Sequence, residues 1–273
     1  MSEKVTSYLA RIGVSEADAH EPSLALLNTL QKKHYESVPY ENLDILLNRP
    51  LSMDDAANYE KVVTRRRGGY CFELNGVFGW LLRELGFAVT DYMARFLLNE
   101  PQIPMRRHRV LLVQIPGASD TTYLCDVGVG IEVPRLPILL KENTVQSQGT
   151  CQYKMTREDF FGWVLWEKYQ EEWRRVYSFT LEPQLPLDFV MPSFYCEKHP
   201  DSPFNKAPMI SLKTPDGRKS LDGHIFKTVY VYTVTQYIPK TAEEFRSALL
   251  EYFGLALTPT EAAEIFAGIP AEK

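Results

Sequence analysis

A ten-residue block in the first third of the chain, Arg67–Gly76 (RGGYCFELNG), restricts the local fold more than any other segment. The chain breaks at Gly68 and Gly69, and apolar residues at helical spacing follow, which predicts that a helix begins at Cys71. The first backbone N–H groups of a helix lack internal partners and carry the positive end of the helix dipole. This position favours a thiolate, so we expect a lowered pKa for Cys71 and take it as a candidate nucleophile.

The composition is that of a globular protein without a basic surface. The chain has 273 residues, 45% of them apolar, and a formal net charge of −5, which argues against a nucleic-acid-binding protein. No stretch approaches the roughly 18 consecutive apolar residues of a membrane span, and the N-terminus lacks the apolar core of a secretory signal. We therefore expect a cytoplasmic protein with no membrane or nucleic-acid partner.

Cysteine and histidine are distributed in a way that predicts neither disulfides nor a metal site. The four cysteines are widely spaced without a CxxC pair, and the five histidines form no HExxH or similar pairing. In a chain of this length without an export signal, such cysteines are expected to be the reduced thiols of a cytosolic protein. We predict that the protein holds no metal.

The first third of the chain has helical periodicity, and strand patterns follow it. Helices are predicted at 2–12, from Pro22 to the segment before Pro39, at 55–64 and at about 72–85. Strands are predicted at 87–95, 108–115, 122–129, 151–156, 162–168 and 173–181, with a hairpin loop at Pro116–Asp120. Later in the chain only a turn at Thr214–Gly217, a strand at 225–235 and a helix at Ala242–Phe253 are clear. This order of elements predicts an α+β fold.

A cysteine nucleophile needs a base, and that base needs a residue that orients it. His108 opens a predicted strand directly after a polar loop, where a rigid scaffold exposes functional groups. Asp126 lies among apolar residues of the next predicted strand, where a carboxylate is costly unless it is paired. If the two strands form a hairpin, Asp126 comes near His108 and can orient its imidazole. Cys71, His108 and Asp126 then form a triad that fits several reaction classes, and Gly128 and Gly130 could let a cofactor approach the backbone closely.

Segments along nearly the whole chain resemble the arylamine N-acetyltransferase family, in its bacterial form. They are Tyr8–Gly13, Val38–Leu43, Arg67–Glu73, His108–Val113, Tyr123–Gly130, Tyr177–Leu181, Ser202–Lys206 and Ser211–Gly217. Each is weak alone, but the RGGYCFE block followed by the His and Asp segments in this order and spacing is a specific signal. The resemblance implies an N-terminal helical bundle over 1–86 with the nucleophile, a central β-barrel over 87–195 with His108 and Asp126, and a C-terminal α/β lid over 196–273. It also implies a cysteine-protease-like core.

The resemblance further implies the reaction. An acetyl group would pass from acetyl-CoA to Cys71, and then to an arylamine, an arylhydrazine or a related N-hydroxyarylamine, in a ping-pong mechanism. His108 would be the ion-pair partner and proton shuttle, and Asp126 would orient it. Glu41 and Arg67 match a pair that is expected to form a structural salt bridge. An enzyme of this kind is expected to act in xenobiotic metabolism.

Seven further residues are implied as substrate or cofactor contacts: Tyr40, Arg107, Gly128, Val129, Gly130, Phe204 and Ser211. Val129 stands where the family often has Phe, which predicts a wider or differently shaped acceptor site. Arg107 stands where Thr is common, which places a cation near the acyl site and makes an acidic acyl group worth testing. Lys206 and Ser211 are candidate contacts for the phosphates of CoA.

Three other functions remain open on the same residues. The chain could be an amide synthase that closes a macrolactam on a carrier-bound polyketide, which a neighbouring polyketide gene cluster would support. It could be a cysteine hydrolase or a transglutaminase-like enzyme, which would turn over peptides without CoA. It could also be a non-enzymatic binding module, in which Cys71 would have ordinary reactivity. The acceptor amine, the oligomeric state and the choice among acetyl-, propionyl- and malonyl-CoA are left open by the sequence.

Overall fold

The computed structural model describes residues 1–118, 120–130, 134–230 and 233–270. The first third is helical, with helices α1 (Glu3–Ile12), α2 (Leu24–Ser37), α3 (Leu43–Leu46), α4 (Asp55–Tyr59) and α5 (Cys71–Glu84). Helix α4 continues into a π-helical turn at Glu60–Thr64. The hydroxyls of Ser2 and Ser23 cap α1 and α2 by accepting a backbone N–H three residues further on. The four predicted helices are confirmed, and their buried faces pack in one apolar core with the strands that follow.

An eight-stranded antiparallel sheet follows the helices, in the order β4-β3-β2-β1-β8-β7-β6-β5. Its strands are β1 (Ala88–Phe96), β2 (His108–Gln114), β3 (Thr122–Cys125), β4 (Ile138–Leu139), β5 (Gln146–Gln148), β6 (Cys151–Glu158), β7 (Gly162–Tyr169) and β8 (Glu172–Pro183). The two edge strands meet through side chains, because the Gln146 amide accepts from and donates to the Leu139 backbone, both at 2.8 Å. Gln148 bonds the Leu136 backbone in the same way. These bonds bring the sheet close to a closed barrel.

The hairpin between β2 and β3 is confirmed, with Leu111 opposite Cys125 and Gln114 opposite Thr122. Its loop was predicted at Pro116–Asp120, and residue 119 lies outside the described residues. Strand β3 ends at Cys125, so the prediction of a strand over 122–129 was wrong in its length.

Two hydrogen bonds to side chains explain the early end of β3. The backbone N–H of Val127 donates to Asn75 Oδ1 at 2.8 Å, and that of Gly128 donates to Asp126 Oδ1 at 2.8 Å. These donors are bound by side chains, so a neighbouring strand cannot continue the ladder. Asp126 therefore lies just past a strand end and not inside a strand.

The last third contains a second antiparallel sheet of four strands, β9 (Met209–Thr214), β10 (Gly217–Asp222), β11 (Ile225–Tyr230) and β12 (Thr233–Tyr237). Helix α6 (Val190–Lys198) precedes it, and α7 (Ala242–Phe253) and α8 (Pro259–Gly268) follow. Leu221 and Phe226 on one face of this sheet belong to the apolar cluster that includes Phe245 of α7 and Ile265 of α8.

This region was only partly predicted. The turn at 214–217 and the helix at 242–253 are confirmed. The predicted strand at 225–235 is divided between β11 and β12, and residues 231–232 lie outside the described residues. Helix α8 was not predicted, although the capping box of Thr258 and Glu261 marks its start. The predicted boundary between 195 and 196 falls within α6, and the three-part division stays a prediction.

The chain thus has a mixed helix and sheet fold with a barrel-like sheet at its centre. None of the helices in the described part of the chain is long and apolar enough to cross a membrane. Three of the elements, α5, β2 and the end of β3, come together in the main core and carry the candidate triad.

Candidate active site

Cys71 is the first residue of α5, and buried charges behind it hold this helix start in place. The Glu73 carboxylate accepts the backbone N–H of Tyr70 at 3.1 Å, which caps the helix. Its other oxygen pairs with Lys61 Nζ at 2.8 Å, and Lys61 also pairs with Asp44 at 2.7 Å. A buried lysine is tolerated here because two carboxylates compensate its charge.

The predicted salt bridge between Glu41 and Arg67 is confirmed at 2.7 Å, and it joins the same network. Arg67 Nη2 also lies 3.2 Å from Asp44, so one guanidinium and one ammonium share that carboxylate. Sequence reasoning missed Asp44, Lys61 and Glu73. Only Glu73 had a local signal, its position three residues after the N-cap.

His108 and Asp126 are joined by a short hydrogen bond. The distance between His108 Nε2 and Asp126 Oδ2 is 2.7 Å, and both side chains are buried. The second oxygen of Asp126 accepts from Asn75 Nδ2 at 2.9 Å and from the Gly128 backbone at 2.8 Å. The ring of Tyr177 packs against the imidazole, with 5.4 Å between ring centroids. The carboxylate is therefore held on one side while it orients His108 on the other.

Asn75 links the three elements of the site and was missed by sequence reasoning. It is fully buried on α5, one turn after Cys71. Its Nδ2 donates to the Arg109 carbonyl of β2 at 2.6 Å, and its Oδ1 accepts from Val127, just after β3, at 2.8 Å. Its place in the Arg67–Gly76 block, on the helix face of Cys71, is the signal that could have identified it.

Arg109 adds a second connection between β2 and α5. Its guanidinium is buried, bonds Asp91 at 2.7 Å and donates to the Phe72 carbonyl at 3.2 Å. It also lies over the ring of Phe189, with 4.7 Å from the guanidinium carbon to the ring centroid. Buried polar bonds thus fix α5 and β2 to each other at the point where Cys71 and His108 stand.

The environment of Cys71 differs from the expectation. Burial raises the pKa of the thiol well above its ordinary value, and Cys196 and Asp126 raise this pKa further. Backbone hydrogen bonds at Arg109 and Phe72 lower the pKa by less. The expectation of a lowered pKa is therefore wrong for the thiol taken alone, because desolvation outweighs the helix start. A thiolate here needs a cationic partner.

Cys71 and His108 line one cavity of about 560 Å³. Nine of the ten predicted site residues line it: Cys71, His108, Tyr40, Arg107, Gly128, Val129, Gly130, Phe204 and Ser211. The tenth, Asp126, is buried with its carboxylate on His108. The Cys71 Sγ lies 3.8 Å from the Arg107 carbonyl oxygen. The volume is that of a small-molecule site.

The two glycines after Asp126 are required by protein packing, and both also line the cavity, so the suggestion that they let a cofactor approach the backbone stays a prediction. A Cβ at Gly128 would lie 2.7 Å from the Cα of Cys71. Gly130 has a φ of +71°, and a Cβ there would lie 2.5 Å from Ser211 Oγ. Gly128 lets α5 approach closely, and Gly130 lets the four-stranded sheet approach.

The cavity carries charge on two sides. Arg107 forms an ion pair with Glu100, and both line the wall. Arg218 and Lys227 line it from β10 and β11. Lys206, a candidate contact for CoA phosphates, is not among the lining residues, whereas Ser211 is.

Comparisons with known proteins place the chain in a family. A family model described as N-acetyltransferase matches residues 23–262. The arylamine N-acetyltransferase of Escherichia coli (strain K12) is 35% identical over 260 residues, covering 94% of this chain and 90% of that protein. The arylamine N-acetyltransferase / N-hydroxyarylamine O-acetyltransferase of Salmonella typhimurium is 37% identical over 199 residues, covering 72% of this chain and 69% of that protein.

A solved structure agrees with these relatives over nearly the full length. The arylamine N-acetyltransferase of Mycobacterium marinum in complex with CoA superposes with a TM-score of 0.87 at 29% identity, covering 97% of this chain and 99% of that one. The chain belongs to the arylamine N-acetyltransferase family of acetyl-transferring enzymes.

Proposed function

We propose that this enzyme transfers an acetyl group from acetyl-CoA to an arylamine, an arylhydrazine or a related N-hydroxyarylamine through an acetyl-cysteine at Cys71. The observation that carries the proposal is the buried 2.7 Å bond between His108 Nε2 and Asp126, with His108 and Cys71 on the same cavity. The Salmonella relative, named for both arylamine N-acetylation and N-hydroxyarylamine O-acetylation, supports the acceptor classes. Metabolism of foreign aromatic amines is part of this proposal.

We expect an ion pair between Cys71 and His108, because both line the same cavity. Asp126 occupies Nε2 of the imidazole, so Nδ1 is the nitrogen that takes the thiol proton. The carboxylate then stabilises the imidazolium, and the imidazolium compensates a thiolate that burial alone would disfavour. Transfer of the proton from sulfur to nitrogen makes the nucleophile without a net change in charge.

The reaction then runs in two half-reactions. The Cys71 thiolate attacks the thioester carbonyl carbon, the bond from that carbon to the CoA sulfur breaks, and CoA leaves as a thiol with the proton of His108. The acceptor nitrogen next attacks the acetyl carbon and the bond to Cys71 Sγ breaks. His108 takes the proton released by the amine, and the ion pair forms again. The buried position of Cys71 limits attack by bulk water on the acetyl-cysteine.

The four-stranded sheet supports CoA as the donor. Ser211, Ser220 and Lys227 face each other on neighbouring strands and line the cavity, and Arg218 lines it as well. Cations and hydroxyls on a partly exposed surface suit phosphate groups. The relative from Mycobacterium marinum was solved in complex with CoA.

The proposal is tested by intact-protein mass spectrometry after incubation with acetyl-CoA and no acceptor. We expect one added acetyl group on Cys71, no label in Cys71→Ala, and loss of the label with amide formation when an arylamine is added. Cys151→Ala is the matched control, since Cys151 is a partly exposed thiol of β6 outside the cavity lining. Failure to acylate Cys71 with any CoA thioester would refute the proposal, and peptide turnover without CoA would favour a hydrolase.

The role of His108 is tested by the pH dependence of alkylation of Cys71 by iodoacetamide. In the wild type, the ion pair keeps a thiolate available, so we expect rapid alkylation near neutral pH. In His108→Gln the raised pKa of the buried thiol is no longer compensated, so the rate at pH 7 falls and recovers only in alkaline solution. Equal pH profiles in the two proteins would contradict an ion pair.

A further inference from the structure

Arg107 is a charged residue of the cavity that the acetyl transfer itself does not use. It directly precedes His108, and its backbone carbonyl lies 3.8 Å from Cys71 Sγ. Its side chain is 16% exposed and lines the cavity, over the ring of Phe204 at 6.0 Å from guanidinium carbon to ring centroid. An acetyl group and a neutral aromatic amine offer no charge to this guanidinium.

The guanidinium has spare hydrogen-bonding capacity. Among the described residues its one hydrogen bond is from Nη2 to Glu100 Oε1. A guanidinium has five N–H donors in a planar fork, so four remain for other acceptors. Glu100 is 26% exposed and lines the same cavity, in the irregular segment between β1 and β2. A carboxylate that enters the cavity can therefore share Arg107 with Glu100 or take its place.

The other cations of the cavity are placed for a different group. Lys227 lies two strands away from Ser211 on the four-stranded sheet, about 10 Å at the usual strand spacing. Ser211 itself contacts Gly130 and pairs with the backbone of Tyr40. The phosphates of CoA are separated from the thioester by the pantetheine arm, so they suit the sheet surface. The Arg107 backbone contacts the reacting sulfur, and its guanidinium lines the same cavity within one side-chain length of that backbone, so it suits a group attached near the reacting carbon or nitrogen.

We propose that Arg107 makes the enzyme selective for substrates that carry a carboxylate near the reacting atoms, with Glu100 as the internal competitor. This inference rests on the acyl transfer proposed above and specifies its substrates. The carboxylate belongs either to the acyl group of a dicarboxylic acyl-CoA or to an aminoaryl acid. The planar fork of arginine binds a carboxylate with two parallel hydrogen bonds.

The test compares charged and neutral substrates of matched shape. The donor pair is succinyl-CoA and butyryl-CoA, and the acceptor pair is 4-aminobenzoate and its methyl ester. The measured quantity is the ratio of kcat/KM for the charged member to that for the neutral member. In a ping-pong reaction the kcat/KM of a donor depends only on the first half-reaction, and that of an acceptor only on the second. The ratios of the donor pair and the acceptor pair are therefore independent.

Three variants test the role of the ion pair between Arg107 and Glu100. In Arg107→Gln we expect the ratio of at least one pair to fall about 10-fold or more, as loss of a charge-assisted hydrogen bond predicts. In Glu100→Gln we expect the ratio of that pair to rise several-fold, because the internal competitor is gone. Arg106→Gln is the matched control, since Arg106 pairs with Glu182 at 3.4 Å outside the cavity lining. Its ratios should equal those of the wild type.

The outcomes separate this inference from the proposed function. A change confined to the donor pair assigns the carboxylate to the acyl group, and one confined to the acceptor pair assigns it to the amine. Ratios that stay within about twofold in Arg107→Gln for both pairs overturn the selectivity, even if overall activity falls. If that variant does not fold, a ratio that fails to rise in Glu100→Gln overturns it instead. Lack of turnover of all four substrates, charged and neutral, by the wild type would refute the acyl transfer itself.

Discussion

His34 offers a quantitative test of the structure that is independent of catalysis. It lies in α2, is fully buried, and packs against the rings of Tyr8 and Phe78 with centroid distances of 6.0 and 5.3 Å. Within the described residues neither of its ring nitrogens has a hydrogen-bond partner. Burial lowers the pKa of His34 from 6.5 to about 3, and the nearby Arg11 cation contributes to the shift. The folded protein therefore holds this imidazole neutral in mildly acid solution.

The sign and size of the effect follow from linkage. As pH falls below 6.5 the unfolded chain binds a proton at His34 while the folded protein does not, so the unfolded state is stabilised. The stability that the protein has with a neutral His34 is complete above the unfolded pKa of this residue. It is lost progressively as pH falls toward the folded pKa of about 3. With 1.36 kcal/mol for each unit of pKa shift, the free energy of unfolding falls by about 2 kcal/mol at pH 5 and about 3 kcal/mol at pH 4.

The assay is urea unfolding of the wild type and His34→Leu at pH 8, 5 and 4. Leucine removes the titrating group, and its packing effect is the same at each pH, so it cancels in the pH dependence. We expect the variant to lose about 2 kcal/mol less than the wild type between pH 8 and pH 5. His20→Leu, at an exposed position, is the control and should follow the wild type. Parallel pH dependences for the wild type and His34→Leu would refute the reasoning.

Three further substitutions test the framework around Cys71. Asn75→Ala removes three buried hydrogen bonds, so we expect a loss of about 3 kcal/mol in urea unfolding and slow acylation of Cys71; a loss below about 1 kcal/mol would contradict this role. Gly128→Ala places a Cβ 2.7 Å from the Cα of Cys71 and should lower the free energy of unfolding by about 1–3 kcal/mol. Gly268→Ala, whose Cβ would have no atom of the described residues within 4 Å, should not lower it; equal unfolding free energies for the two variants would argue against the close approach at Gly128. Arg67→Met leaves the buried Glu41 carboxylate without its guanidinium and should cost about 3–5 kcal/mol by urea unfolding, and a near-neutral result would show that the charge network is not structural.

The candidate nucleophile and the secondary structure around it were accessible from the sequence. The glycine break, the apolar periodicity and the glutamate at the third position of α5 are local signals, and the structure begins the helix at Cys71 as expected. His108 at the start of β2 and the β2–β3 hairpin were also predicted, because strand propensity and turn residues act over a few positions. The four-stranded sheet was mostly missed, since its cavity face carries polar and charged residues that weaken the strand pattern.

The supporting residues of the site depend on contacts between distant segments. Lys61 is held by Asp44 and Glu73, and Asn75 joins β2 to the end of β3, over separations that no local pattern reports. The close approach of α5 to Gly128 is likewise a contact between distant segments that no local pattern reports.

The pKa of Cys71 shows most clearly the difference between what local sequence signals predict and what the folded structure imposes. Composition and local pattern place a thiol at a helix start, and this alone predicts a lowered pKa. Only the tertiary structure buries that thiol beside Asp126 and Cys196, which raises its pKa, and brings His108 to the same cavity as the group that can compensate. The identities of the candidate site residues follow from local patterns and can be recognised in the sequence. Their protonation states are set by desolvation and by charges from other segments, which exist only once the chain has folded.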